Sequence, residues 1–496
     1  MSPAAAPPRA RPAAPRQALP ARPSGFLVRK TWHEFYNDVL FLGLVLCLAW
    51  VPLPFGSNYL TPWGINAVLF AVLLILFEAG LLVSGARHPV APRRIWWAMA
   101  LLGLIALWIL VQIAPFVPAS WQNPFWEMAR GILSRVPGGP EVVGSISVSP
   151  DAGIRTLVRL LTNAASFYLA LQLCRDSRRA DLFLTALVAI SVAYAAFGIA
   201  QFLLFPDRLL WMAKQHYLES LTSSFVNRNN YATFASIGVI AAIGLLVDVH
   251  RRAGVGRDLP LQLRAAAFIE ISLRSGAILV VAATVLLVAL FLTASRAGVT
   301  AGLCGVVALI CLLLIYARRR WMIAVLALPV FALLIAAMIY SGERFTGRLT
   351  DTSNDAMRSS VILRTLDAAM DAPWLGFGYG SFDDMYAVYK LPEQWISTHW
   401  DKAHNTYAEL LFELGAPATL AIFLLVGGIL VAILVHVRQR ETRPAVCLVA
   451  LAASVTVLLH ALVDFSVQIQ AVAVFYWALV GAGLAQSWSR RIDTSA

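Results

Sequence analysis

Long apolar runs recur along almost the whole chain, and no other feature limits its possible folds so strongly. A helix of about 20 apolar residues crosses the hydrocarbon core of a bilayer. In lipid every backbone N–H and C=O must find its partner within the protein, so such runs read as helices. They fall near 36–53, 65–84, 96–115, 152–174, 181–204, 231–249, 276–294, 298–316, 321–340, 405–435, 445–463 and 468–487. The expected fold is therefore all-α, a polytopic membrane protein of about 12 transmembrane helices. With 59% hydrophobic and 13% charged residues and a mean hydropathy of +0.72, the 496-residue chain has too little polar surface for a soluble globule.

Charge placement orients these runs. With the N-terminus in the cytoplasm, 25 of the 39 lysines and arginines fall on inner segments, and every inner connection is basic, as the positive-inside rule expects. An even number of spans returns the C-terminus to the same side. The net charge of +12 thus reflects membrane orientation and gives no sign of a nucleic-acid partner. Residues 1–25 are rich in Pro, Ala and Arg, cannot bury enough surface to fold, and read as a disordered tail. The first apolar run lacks a convincing cleavage site and reads as a signal anchor. The expected organisation is a cytoplasmic tail (1–35), spans 1–9 (36–340), a large outer loop with short helices (341–404), spans 10–12 (405–487) and a short cytoplasmic tail (488–496). Cys47, Cys174, Cys304, Cys311 and Cys447 lie in or beside apolar runs, form no CxxC pair and read as packing residues.

Three outer segments exceed ordinary turns, at about 116–151, 205–230 and 341–404, and long loops on a rigid scaffold tend to carry function. The longest holds an amphipathic run at 357–370 and a Pro/Gly-punctuated stretch at 371–380. No internal repeat or inverted pair of broken spans stands out, which argues against a secondary transporter.

Four arginines fall at outer helix ends: Arg155 and Arg159, four residues apart on one helix face, Arg228, and Arg296. A guanidinium at membrane depth costs a few kcal/mol and belongs in the protein interior or a wet cavity, where its fork suits a phosphate. The competing reading has each arginine snorkelling to headgroups or pairing with an acid such as Glu127 or Asp151. His404 stands where a polar loop enters an apolar helix, placed to take a proton from a hydroxyl with a pKa near neutral; spacing alone favours reading it as a capping or interface histidine. Asn405 and Glu409 support it, and Glu409 and Glu413 face inward, where they can pair with the arginines. Asp383 with Asp384, and Asp351 with Asp355, are candidate metal ligands, but no further oxygens complete a set. The expectation is a site without metal or cofactor, with arginines neutralising developing charge.

Four stretches appear in order: Ser-Phe-Val-Asn-Arg-Asn-Asn-Tyr-Ala-Thr around Arg228, Leu-Thr-Ala-Ser-Arg-Ala-Gly (292–298), Pro-Trp-Leu-Gly-Phe-Gly-Tyr-Gly-Ser-Phe (373–382) and Ala-His-Asn-Thr-Tyr-Ala-Glu-Leu-Leu-Phe-Glu-Leu-Gly (403–415). With Val-Asp-Phe-Ser-Val-Gln-Ile-Gln (463–470), they resemble the O-antigen ligase and polymerase superfamily over about 223–485. The resemblance implies a GT-C-like membrane glycosyltransferase of the bacterial inner membrane with a periplasmic active site. Its donor would be a glycan on undecaprenyl diphosphate, and its acceptor lipid A-core in a ligase, another lipid-linked glycan in a polymerase, or a protein hydroxyl in an oligosaccharyltransferase. It also implies that Arg296 and His404 are the catalytic pair. Arg228, and on physical grounds Arg155 and Arg159, join Arg296 in holding the donor diphosphate. A lipid-linked glycan flippase or exporter is the competing class; it would not need His404, and its basic residues should continue across a central cavity.

Overall fold

The computed structural model describes residues 32–253, 260–316, 352–392, 394, 400–440 and 445–488. Helices occupy eleven of the expected apolar runs: α1 (Trp32–Trp50), α2 (Leu60–Ser84), α3 (Trp96–Ile113), α5 (Pro150–Leu173), α6 (Ser177–Leu204), α7 (Arg228–Ala253), α9 (Ala277–Leu292), α10 (Arg296–Tyr316), α13 (Thr406–Arg438), α14 (Ala445–His460) and α15 (Gln470–Ser487). The twelfth run, 321–340, lies outside the described residues, as do most of both tails. Six of these helices (α2, α3, α6, α7, α10 and α13) are long and apolar enough by themselves to cross a membrane. The chain is a multi-pass helical membrane protein. The other five are shorter, carry charge or are less apolar; α5, for example, contains Arg155 and Arg159. Between the spans lie α4 (Pro124–Leu133), α8 (Leu261–Arg274), α11 (Thr352–Ala369), α12 (Phe382–Tyr389) and a two-stranded hairpin, Arg208–Leu209 with Met212–Ala213. Helices α11 and α12 lie within the stretch 341–404. Helix α8 meets α9 at a bend of 79°.

Burial sorts the helices into centre and periphery. The apolar window of α7 is 89% buried and α15 is buried along nearly all of its length, whereas the windows of α2 and α13 are 17% and 22% buried; α7 and α15 thus lie at the centre, and α2 and α13 turn most of their apolar surface outward. Outside water, apolar contact supplies little drive between helices, so close backbone approach and polar links do more of the packing. On α15 a Cβ at Gly481 would stand 2.2 Å from the Phe167 carbonyl oxygen of α5, so only glycine allows the two backbones to meet. Asn66 of α2 donates to Gln470 of α15 at 2.9 Å, and Ser166 of α5 donates to the Val474 carbonyl at 3.2 Å.

Helix α13 is broken near its start. Gly415 (φ 75°) and Pro417 interrupt it, and the Pro/Gly-punctuated loop supplies what the break leaves unpaired. The amides of Phe377 and Gly378 donate to the carbonyls of Phe412 (3.0 Å) and Glu413 (2.9 Å), and Ala416 donates to the Pro373 carbonyl (2.7 Å). Gln112 of α3 ties in both strands of this contact, donating to the carbonyls of Leu375 (2.7 Å) and Glu413 (2.9 Å). Gly376 has φ +68°, and a Cβ there would lie 2.3 Å from the Glu413 carbonyl oxygen, so both conformation and space demand glycine. The stretch braces the kink that presents the first turns of α13.

Candidate functional site

Three helices begin at one place, each on a cap taken from the motif that precedes it. Asn227 accepts the Asn229 amide at 2.8 Å at the start of α7. Ser295 accepts the Gly298 amide at 3.2 Å at the start of α10. Asn405 accepts the amides of Tyr407 and Ala408, both at 3.0 Å, at the start of α13. Side-chain oxygens at these positions satisfy donors that a helix start leaves free. The first helical residues of α7 and α10 are Arg228 and Arg296, both half-buried. N-terminal turns carry positive partial charge and point amides outward, so a cluster of them favours anions before any arginine is counted.

A buried polar network joins the three starts. Ser295 donates to Asn229 Oδ1 at 2.8 Å, and Asn229 Nδ2 donates to Asp464 at 2.6 Å. Ser466 donates to the other oxygen of Asp464 at 2.8 Å. Thr406 donates through its hydroxyl to the Asp464 carbonyl at 3.2 Å and through its amide to the Ala461 carbonyl at 2.9 Å. His460 shares a 2.6 Å hydrogen bond with Thr233. Asp464 is wholly buried, and its two partners make that burial tolerable. The network therefore assembles the sequence motifs around Asn229, Ser295, Thr406 and Asp464.

His404 precedes this third cap. Its backbone has φ 54°, a left-handed conformation that costs a non-glycine residue roughly 1–3 kcal/mol. The ring is held edge-on by Trp400 at 5.3 Å and Phe465 at 5.0 Å. Its Nδ1 is buried with no hydrogen-bond partner among the described residues. The near-neutral pKa expected from sequence is corrected here. Burial lowers it to about 4; Asp464 and Asp401 oppose that shift and the Arg358 guanidinium adds to it. The imidazole is consequently neutral at ordinary pH and able to accept a proton. Arg228 donates to Ser220 at 3.2 Å and lies over the Tyr217 ring at 5.2 Å, with Nε buried and unpaired among the described residues. Lys214 donates to the Ser220 carbonyl at 2.6 Å, and burial lowers its pKa to about 8.

Arg155 and Arg159 stand elsewhere. They line a cavity of about 580 Å³ that is largely apolar along Leu160, Phe167, Ile429 and Leu430 and polar where Lys402, Glu409, Glu413 and Gln468 meet. Arg155 pairs with Asp151 one turn back, the competing reading raised from sequence. Arg159 lies over Trp63 at 4.2 Å and donates to the Gln468 carbonyl. Lys402 forms an ion pair with Glu409 at 3.4 Å. Burial disfavours the Lys402 charge, but the Glu409 and Glu413 carboxylates outweigh burial and raise its pKa. Glu409 also accepts the Ala403 amide at 2.9 Å, fixing the segment that ends in His404, and Glu413 accepts the Phe382 amide at 3.1 Å at the start of α12. Lys402 lines this cavity; His404, two residues later, does not.

Sequence reasoning named Arg228, Arg296, His404, Asn405 and Glu409 but missed Lys402 and Arg358. Lys402 follows Asp401 in a polar loop and looks solvated until Glu409 folds back onto it. Arg358 was concealed within the amphipathic run 357–370. Of the acidic residues weighed as metal ligands, Asp384 accepts the Ser149 hydroxyl, while Asp351 and the Asp355 side chain lie outside the described residues. Among the described residues no three His, Cys, Asp or Glu side chains converge to hold a metal ion.

Residues 280–423 match the family described as O-antigen ligase. That segment, which spans Ser295, Arg296, the braced kink and His404, is similar to the O-antigen ligase family. No curated protein matches the chain.

Proposed function

We propose that this protein transfers a glycan from undecaprenyl diphosphate to an acceptor hydroxyl at the periplasmic face of the bacterial inner membrane, with lipid A-core as the acceptor. The reading rests on one observation above all: neutral His404, with an unpaired ring nitrogen, stands where the arginine-bearing starts of α7 and α10 meet the start of α13. The superfamily match supports glycan transfer of the ligase or polymerase type. The cavity, apolar along its length and polar at one end, suits the hydrocarbon chain of a lipid-linked substrate.

In this mechanism His404 takes the proton of the acceptor hydroxyl as its oxygen attacks the anomeric carbon. The bond from that carbon to the diphosphate breaks, and its electron pair leaves on the diphosphate oxygen beside Arg228 and Arg296. A single displacement inverts the anomeric centre. The helix starts and guanidinium groups stabilise charge where it develops, the role a divalent ion plays in other phosphate leaving-group sites. Arg155, paired with Asp151, and Arg159, bound to the Gln468 carbonyl and stacked on Trp63, line the cavity and serve its rim in preference to the diphosphate. Glu409 and Asn405 hold the 402–406 segment. The topology that goes with this reading has twelve spans in a GT-C-like arrangement, a tail at 1–35, spans through 36–340 and 405–487, a periplasmic loop at 341–404, and both termini in the cytoplasm.

The test is glycan transfer by His404→Ala and Arg296→Ala variants that reach the membrane at normal levels. Full transfer by either removes its assigned role, and transfer abolished by a chelator and restored by a divalent ion removes the metal-free mechanism. Deletion of the gene identifies the acceptor. Lipid A-core without long chains fits the ligase, single-repeat caps indicate a polymerase, and loss of protein glycan indicates a protein O-oligosaccharyltransferase.

A further inference from the structure

Helix α11 carries an arginine on its inward face. Positions 358, 361, 365 and 368 follow helical spacing; Val361 and Thr365 are fully buried and Ala368 nearly so. Val361 and Ala368 belong to the apolar cluster that includes Trp400, Ala403 and Phe412. The face thus turns toward the segment ending in His404, whose ring rests against Trp400. Arg364 is satisfied by the Tyr389 carbonyl at 3.0 Å and by Asp367 at 3.6 Å. Arg358 is half-buried, and no hydrogen bond or ion pair engages it among the described residues.

The groups within its electrostatic reach are Tyr217, His404 and His460. Arg228 lies on the same Tyr217 ring. The acids facing this place are Asp464, already bound by Asn229 and Ser466, and Asp401, which is exposed. Unpaired polar atoms converge here from three elements: His404 Nδ1, Arg228 Nε and His460 Nε2. A half-buried guanidinium without a partner is costly unless an anion completes it.

We propose that Arg358 binds the diphosphate of the lipid-linked donor opposite Arg228, so that α11 closes the donor site from the loop side. This rests on the reading that the donor is a lipid diphosphate. When the anomeric carbon–oxygen bond breaks, the electron pair passes to the diphosphate oxygen that Arg358 holds, while the acceptor proton passes to His404. Arg358 also adds to the burial that keeps the His404 ring neutral, so its removal has a second, separable consequence.

The experiment uses the full chain in lipid nanodiscs, with Arg358→Met and Arg358→Gln beside wild type. Initial rates are measured against undecaprenyl-diphosphate glycan, with inorganic pyrophosphate as competitor, across pH. Loss of a charge-assisted contact should raise donor KM and the pyrophosphate inhibition constant about 10- to 100-fold. The acid limb of the rate should move to higher pH, because the nearby cation no longer opposes protonation of His404. A merely structural role would leave that limb in place. If pyrophosphate inhibits wild type but inhibits either folded variant equally well, with donor KM unchanged, Arg358 has no such role and the donor reading stands. Wild type indifferent to both pyrophosphate and the lipid-diphosphate donor overturns the donor reading and the role of Arg358 together.

Discussion

At the cavity rim Arg159 and Lys402 meet Glu409 and Glu413, two cations against two carboxylates; around His404, Arg228 and Arg358 meet Asp464, whose carboxylate is already held by Asn229 and Ser466. Both clusters place guanidinium groups near the N-terminal ends of helices, and from sequence they look alike. Their partners separate them. In the first cluster Lys402 pairs with Glu409, and the two acidic side chains tie Ala403 and Phe382 into place. In the second, Arg228 Nε is unpaired, as Arg159 Nε is at the rim, but here it stands beside a neutral imidazole whose Nδ1 is also unpaired among the described residues. Cost at membrane depth therefore identifies an arginine that needs a partner, and only the fold shows whether the partner is internal.

The contrast can be broken most forcefully at His404. His404→Ala should lower transfer about 100-fold or more while the unfolding midpoint of the purified protein stays within a degree or two of wild type. A variant that loses transfer only because it no longer folds would put His404 among the structural residues. In wild type, the base must be neutral. Transfer should therefore persist as pH falls below 6 and disappear only as it passes through about 4; a rate that halves near 6.5 would mean an unperturbed imidazole.

The rim should behave in the opposite way. Arg159→Ala removes a buried cation that lies over Trp63 and donates to the Gln468 carbonyl, and should cost roughly 3 kcal/mol of stability in thermal unfolding. A stable Arg159→Ala protein with weakened donor binding would erase the distinction between the clusters. Gly376→Ala should cost about 2 kcal/mol, because its φ of +68° and the Glu413 carbonyl 2.3 Å from the new Cβ oppose it. Transfer would fall with stability as the α13 kink loses its brace. The smallest effect belongs to Asn405→Ala, about 1 kcal/mol for a lost cap, read by denaturant unfolding in mixed micelles.

Much of the fold was legible because the bilayer enforces it. Apolar runs long enough to span must be helices, so the starts of α7, α10 and α13 could be set within a few residues of their motifs. His404, Arg228 and Arg296 were legible because each adjoins a helix start marked by Asn or Ser. Arg358 was not, since one arginine on an amphipathic loop helix gives no local sign that its face meets Trp400 and Ala403 from a segment some 40 residues away. The Gly-rich stretch 376–380 read as a loop break within a family motif and gave no sign of bracing a helix. Its work depends on the carbonyls of Phe412 and Glu413, which spacing along the chain cannot reveal. The His404 pKa was missed for the same reason, because Trp400 and Phe465 enclose the ring from two different segments.

The most direct measurement of this division of labour is the affinity of purified protein in nanodiscs for undecaprenyl diphosphate. It should be made on Arg228→Ala and on the charge-compensated pair Arg159→Ala with Glu413→Gln, each checked for an intact unfolding transition. The expected result is a fall of about 10-fold or more for Arg228→Ala and a change within about two-fold for the compensated pair. Weakened binding in the compensated pair, with Arg228→Ala binding as wild type does, would contradict it and move the diphosphate to the cavity rim.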